Sequence, residues 1–340
     1  MKLDRFLLLG AALLGMAVSC KDKDEEEDDY EYFSGSISFE LPAFISPGEV
    51  YELGIGDICR EDGGGFGCCW NIDVLGQTDT LRREDDPTTI STDYTFTVPD
   101  TLCEVTVKAT VFATGYTMTS NTATAVIVSS DKQNGSITGR SFDSAKDFIY
   151  TDTRDSKDYW CTTIGDRQWF RENLAYNGTG FPYKGSEKME QILGRYYSWN
   201  EAREACPQGW RLPDSEDWSA LAKELTGNEF GSTDTFTDIA GKLMCNVYFN
   251  GDRMWEYWPK VNVTDSSRFS AIPAGYSIRK DGDQYIFYSY SEYATFWVND
   301  TYDEDYGIYR YLYVDKTDCF AGTADKDNFL ASVRCVRDAI

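Results

Sequence analysis

The residues best suited to chemistry lie in one short run, FWVNDTYDEDYG, Phe296 to Gly307. Asn299, Asp300, Asp303 and Asp305 could offer side-chain oxygens to a hard cation, and Glu304 adds another carboxylate. Calcium takes about six to eight oxygens, mostly from such groups. Trp297 or Tyr302 could stack on a sugar face beside it. The spacing is not that of an EF-hand loop. A solvated acidic hairpin loop between two strand patterns is the plainer reading of the same residues. Calcium at this loop is the only cofactor that the sequence suggests.

Other chemistry is restricted by what is missing. The chain has no histidine among its 340 residues. A Ser-His-Asp or Cys-His nucleophile is therefore impossible within it, and the commonest zinc ligand is lost. Of ten cysteines, Cys20 stands apart near the start. Cys59, Cys68, Cys69 and Cys103 occupy the first part; Cys161, Cys206, Cys245, Cys319 and Cys335 the second. In an exported protein most of these are expected to pair. Adjacent Cys68 and Cys69 read as half-cystines with different partners. One pairing is expected among Cys161, Cys245 and Cys319.

Export is what the first residues indicate. MKLDRFLLLGAALLGMAVSC has a basic start, an apolar run and small residues before Cys20, the order of a secretory signal peptide. The run is shorter than the roughly 20 apolar residues of a membrane span. AVSC resembles a bacterial lipobox, which implies cleavage after Ser19 and lipid on Cys20. The following KDKDEEEDD reads as a solvated tether. It also resembles the export signal of Bacteroidetes surface lipoproteins, implying the outer leaflet of the outer membrane. The formal net charge of −25 argues against nucleic acid as a partner. Asp79-Thr80-Leu81, Asp100-Thr101-Leu102 and Asp143-Ser144-Ala145 resemble Bacteroidetes O-glycosylation tripeptides.

Positioning these residues requires folded domains. Aromatics make up 15% of the chain, too many for disorder. Residues 33–130 read as short alternating strands, among them SGSISFELP with Ile37 and Phe39 on one face, TDYTFTVPD, CEVTVKATVFATGY and TATAVIVSS. GDICREDGGGFGCC reads as a loop. Regular turns between short strands predict a β-sandwich, and the closing strands resemble immunoglobulin-like repeats of bacterial surfaces. Residues 131–150 are polar and Gly/Ser-bearing and read as a linker. In residues 151–340 the pattern predicts two helices, WNEAREAC and one that Asp214 caps and Gly227 stops. Trp218, Leu221, Ala222 and Leu225 form the buried face of the second. TFWVN, GIYRYLYV and FLASVRCV then alternate like strands, which predicts an α+β domain.

Four segments of this second part have a familiar order. DTRDSKDYWCTTIGDRQWFRENLAY carries Arg154, Asp155, Tyr159, Ile164, Gly165, Trp169, Glu172, Asn173 and Leu174. CPQGWRLP carries Cys206, Pro207, Gly209, Trp210, Leu212 and Pro213; FSAIPAGY carries Ile272, Pro273, Gly275 and Tyr276; SVRCVRD closes the set. Together they resemble the Fibrobacter succinogenes major paralogous domain, which is similar to the C-type-lectin-like fold. The resemblance implies a disulfide between Cys206 and Cys335. It also implies core roles for Trp169, Trp199 and Trp210. The acidic run departs from true calcium lectins: no Glu-Pro-Asn type tripeptide is present, and Val298 interrupts Trp-Asn-Asp. The fold is shared with formylglycine-generating enzymes, but no cysteine pair here matches theirs. Paired carboxylates for glycoside hydrolysis, about 5 to 9.5 Å apart, are not visible in sequence.

The expectation is therefore a multidomain chain: signal peptide 1–19, lipidated acidic tether 20–32, an Ig-like β-sandwich, a linker and an α+β C-type-lectin-like domain. Its expected function is non-enzymatic binding or adhesion at the cell surface. The expected partners are the outer membrane, through the lipid anchor, and an extracellular glycan or protein ligand. A structural role in a surface assembly is the alternative, with an enzyme on the formylglycine-generating-enzyme-like fold behind it.

Overall fold

A computed structural model of the chain describes residues 30–74, 77–83, 92–281 and 284–339. The signal peptide, Cys20 and the acidic run to Asp29 lie outside the described residues. The fold is mixed α+β, mostly strands in several sheets. Two compact units part between Ser129 and Ser130.

In the first unit a five-stranded sheet runs in the order β1 (Phe44–Ile45), β7 (Thr119–Ile127), β6 (Glu104–Phe112), β3 (Gly67–Val74) and β4 (Gln77–Arg83). A separate pair joins β2 (Val50–Leu53) to β5 (Tyr94–Thr97). Alternation explains the core. Cys68, Trp70 and Ile72 of β3 and Val105, Val107, Ala109 and Val111 of β6 are buried, and Leu53 and Phe96 of the small sheet join the same cluster. Two expectations need correction. SGSISFELP is irregular apart from a bridge at Ser34, although Ile37 and Phe39 are buried. The glycine-rich loop ends earlier than read, because the strand β3 starts at Gly67.

The second unit begins with the residues read as a linker, and that reading is corrected. β8 (Ile137–Thr138) pairs with β14 (Tyr248–Phe249), which also pairs with β15 (Asp252–Arg253). β9 (Asp147–Thr151) is the edge of a sheet ordered β22 (Val336–Asp338), β11 (Arg167–Phe170), β10 (Asp158–Ile164) and β9. Lys132 and Arg140 of this stretch find partners within the unit: Lys132 Nζ donates to Glu172 Oε2 at 2.6 Å and Arg140 Nη1 to Glu172 Oε1 at 3.2 Å. Polarity was a poor guide because these groups are bonded by protein, not water.

Helix α1 (Glu187–Leu193) was not anticipated; α2 (Trp199–Ala205) and α3 (Ser215–Thr226) were, and the single turn α4 (Ala240–Leu243) was not. Asp214 and Asp217 form a reciprocal capping box at the start of α3. Gly227 closes it in the left-handed region, φ 77°, where glycine carries no Cβ penalty. Trp218, Leu221 and Ala222 are buried and Leu225 half-buried. Short strands β12 (Phe181–Pro182) and β13 (Arg195–Tyr196) pair beside α1. Two further sheets complete the unit: β17 (Gln284–Tyr288), β16 (Tyr276–Lys280), β21 (Phe329–Leu330); and β18 (Tyr293–Thr301), β19 (Tyr306–Tyr313), β20 (Cys319–Asp325). FLASVRCV is thus not one strand but β21, an irregular stretch, and the start of β22.

Candidate functional site

The acidic run is the β18–β19 hairpin. Register between the two strands shifts between Trp297 and Thr301. Such an irregularity re-aims side chains, and it separates the four proposed calcium ligands. Asn299 Oδ1 accepts from Arg203 Nε of α2 at 3.2 Å. Asp300 Oδ2 accepts from the Ser215 backbone N–H at 2.7 Å, at the positive end of the α3 dipole. Asp303 Oδ1 accepts from the Asp305 and Tyr306 backbone N–H groups at 2.9 and 2.8 Å, closing the turn. Among the described residues no group of three or more His, Cys, Asp or Glu could hold a metal ion. Of the expected calcium ligands, Asn299 and Asp300 are thus tied to two helices and Asp303 to its own turn.

A cation is nevertheless present. Lys326 Nζ donates to the Asp303 and Glu304 carbonyls at 2.7 and 2.6 Å, and the Lys326 N–H donates to the Asp305 carbonyl at 3.0 Å. The ammonium also lies 4.8 Å from the Trp199 ring centroid. Gly307 permits the close approach, since a Cβ there would sit 2.6 Å from that ring. Lys326 thus ties the hairpin tip from within the protein. Thermal melts with millimolar calcium or with chelator should superimpose; a real site at a hundredfold excess of ion would add about 2.7 kcal/mol.

Trp297 is not a sugar platform. It is fully buried, its indole N–H donates to the Tyr197 carbonyl at 2.7 Å, and Phe329 packs against it. It faces the core because it lies on the same strand face as its cross-strand partner Tyr309, beneath Phe329. Tyr302 is the opposite case, 65% exposed, with Tyr306 at 44%. Neither ring packs against another aromatic among the described residues. Tyr306 could have been found from sequence as the second aromatic flanking the turn.

The other conspicuous charged residues are internal ties. Arg171 donates to Asp147 Oδ2 at 2.8 Å, to Ser270 Oγ at 2.8 Å and to the Ser141 carbonyl at 2.9 Å. Arg154 forks onto Asp152 and lies 3.6 Å from the Tyr176 ring centroid. Glu172 takes Lys132, Arg140 and the Trp160 N–H; Asp217 takes Arg167 and Arg211. Arg310 is buried over Phe236 and donates to the Asp234 and Ser232 carbonyls. Arg334 is buried against Phe269 and Phe296, donating to Asn173 Oδ1 at 2.8 Å and to the Phe170, Phe269 and Ser270 carbonyls. Burial brings its guanidinium down to about 9, so it stays charged at neutral pH.

Burial pushes Asp147, Asp152, Glu172 and Asp217 upward, but their cationic partners and backbone donors hold each below its usual range. A depressed carboxylate stabilises the fold above its unfolded pKa, and that contribution is lost as pH falls through the folded value. Asp265, pushed up by burial, works in the opposite direction. Glu104 and Asp214 are raised by burial as well, while Asp62, Asp131 and Glu201 are lowered by their hydrogen bonds. Seven depressed carboxylates thus stand against three raised ones among the described residues, and the melting temperature should hold above about pH 5 and fall below about pH 4. A rise on acidification through that window would contradict these ties.

Among the described residues one disulfide forms, Cys206–Cys335, with Cα atoms 5.8 Å apart. The expected pairing among Cys161, Cys245 and Cys319 is corrected: each is a separate buried thiol. They lie on β10, after α4 and on β20, and burial pushes Cys245 and Cys319 up to about 12. Alternation turns Cys68 into the core, while Cys69, read as a half-cystine, is a thiol whose Sγ lies 3.6 Å from Asn71 Oδ1. Trp169, Trp199 and Trp210 are all buried.

A family model described as the Fibrobacter succinogenes major domain matches residues 162–337. The match opens inside β10, so Arg154, Asp155 and Tyr159 precede it, while the Cys206 turn and most of the closing SVRCVRD fall within it. Searches of curated proteins and of solved structures gave no match. With more than half of its length matched, the chain belongs to the Fibrobacter succinogenes major domain family.

Proposed function

We propose that this chain is a surface-exposed outer-membrane lipoprotein, anchored through Cys20, that binds an extracellular glycan or protein without catalysis. In this reading the first unit is an Ig-like sandwich and the second a C-type-lectin-like domain. The two sheets of the first unit share one core, which suits a sandwich. The observation that carries the binding reading is the hairpin tip. Tyr302 and Tyr306 are presented to solvent on a turn that Lys326 and Asp303 already hold. Exposed aromatics on a preorganised support lose little entropy on binding. The buried carboxylates are bonded to cations and buried Arg310 and Arg334 to backbone carbonyls, which suits a scaffold more than an acid–base centre.

Two experiments test this. Growth with labelled palmitate should label the protein, Cys20→Ala should abolish the label, and protease added to intact cells should remove the protein. Persistence of label in the Cys20 variant would refute the anchor. Tyr302→Ala with Tyr306→Ala should leave the melting temperature unchanged and weaken ligand binding at least tenfold, since each stacked aromatic contributes about 1 kcal/mol or more. Unchanged binding would remove the tip from the site.

A structural role in a surface assembly has its own support. Cys59 is an exposed thiol, and β17 is an edge strand with Ile286 and Tyr288 exposed. That role requires disulfide-linked multimers on a non-reducing gel, lost in Cys59→Ser.

A further inference from the structure

β17 is the outer strand of its sheet, and among the described residues nothing pairs with its open side. It reads QYIFY, Gln284 to Tyr288, and its register with β16 is unbroken. It carries no charge, proline or bulge, the devices that keep natural sheet edges from pairing. The outer strands β9, β20 and β22 of neighbouring sheets each carry an aspartate: Asp147, Asp325 and Asp338.

The backbone decides which groups the open side offers. The Arg279 N–H of β16 donates to the Asn328 carbonyl at 2.8 Å, away from β17. By alternation the backbone groups of Ile278 face β17, where they meet Ile286. The Ile286 carbonyl also accepts from the Ser277 hydroxyl at 3.1 Å, on the β16 side. The N–H and C=O groups of Tyr285 and Phe287 therefore point outward, and none of them bonds another segment among the described residues. A second strand matches such alternating donors and acceptors.

The side chains suit the same occupant. A groove of about 500 Å³ borders β17, lined by Phe181, Lys184, Tyr285, Ile286 and Phe287. Phe181 stacks on Tyr285 with ring centroids 3.8 Å apart. On the other face of the strand Ile286 is 41% and Tyr288 39% exposed.

The outward groups are symmetric about Ile286, so the strand is complementary to itself. In an antiparallel pair centred there, Tyr285 of each copy lies opposite Phe287 of the other, and each pair exchanges both backbone bonds. Ile286 meets Ile286, and Gln284 meets Tyr288. A register shifted by one residue would set outward groups against inward ones. No like charges meet along the strand, so the net charge of −25 acts on the approach only at a distance, where salt screens it.

We propose that β17 pairs antiparallel with β17 of a second copy of this chain, about a two-fold axis at Ile286. This rests on the assembly reading and names its partner.

The test is cysteine cross-linking of the full chain in detergent, in a Cys59→Ser background. Across the axis the two Ile286 positions form a non-hydrogen-bonded pair with Cα atoms about 4.5 Å apart, within reach of a disulfide. The two Tyr288 positions lie about 14 Å apart along the strands, out of reach. Ile286→Cys should give a reducible dimer on mild oxidation, and the similarly exposed Tyr288→Cys should not. Ile286→Lys sets like charges opposite each other and should weaken self-association about tenfold or more in sedimentation, with the melting temperature unchanged. Equal dimer from both cysteine variants would report random collision and overturn the pairing. If Ile286→Cys stays monomeric while the native chain forms multimers that Cys59→Ser loses, the pairing falls and the assembly reading stands. If neither forms multimers, both fall.

Discussion

Arg334→Met is expected to lower the stability of the second unit by about 4 kcal/mol or more, enough to leave much of it unfolded near 37 °C. The residue lies where β11, the segment just after it and the Phe269–Ser270 turn meet. Its guanidinium satisfies Asn173 Oδ1 and three backbone carbonyls and has no carboxylate partner among the described residues. Methionine matches the length but donates nothing, so four buried acceptors lose their donor, at about 1–3 kcal/mol for each left unsatisfied. Arg334→Lys should be nearly as damaging, because one ammonium cannot reproduce the planar fork. Chemical denaturation followed by tryptophan fluorescence reads the loss. A change below about 1 kcal/mol, the level of an ordinary surface substitution, would contradict this role.

Removing the disulfide is the second large effect. Cys206 ends α2 and Cys335 precedes β22, 129 residues apart. In the chain-entropy model, closing a loop of that order contributes about 4–5 kcal/mol, and loss of a native bond commonly costs about 2–5. Cys206→Ser with Cys335→Ser should fall in that range. Cys335 lies in the core cluster with Trp210, and half-buried Cys206 packs against it, so reductant alone should act slowly on the folded chain. Equal stability with and without the bond would show that α2 and β22 are held by packing alone.

What could be read from the sequence was mostly local or carried by the family motif. The capping box of Asp214 and Asp217 and the stop at Gly227 need only neighbours within one turn. Cys206–Cys335 followed from the resemblance, not from spacing. The acidic hairpin was legible as strands and turn but not as chemistry. Lys326 lies 23 residues from Asp303, and the partners of Asn299 and Asp300 lie on helices some 90 residues earlier. No periodicity reports such pairings. The same limit hid the roles of Arg310 and Arg334, whose partners are mostly backbone carbonyls far away in sequence. Trp297 was misjudged because the acidic run from Asn299 follows it closely, while its neighbours in space are Phe329 and Tyr309.

The most direct test of the central claim, a displayed module that binds without metal, is a glycan array probed with the full chain, once with calcium and once with chelator. The account predicts binding to uncharged glycans that is the same in both conditions, because Lys326 already occupies the cation position of the tip. Binding that disappears with chelator would contradict it, and would point to a metal held near the tip by oxygens other than those already bonded at Asn299, Asp300 and Asp303.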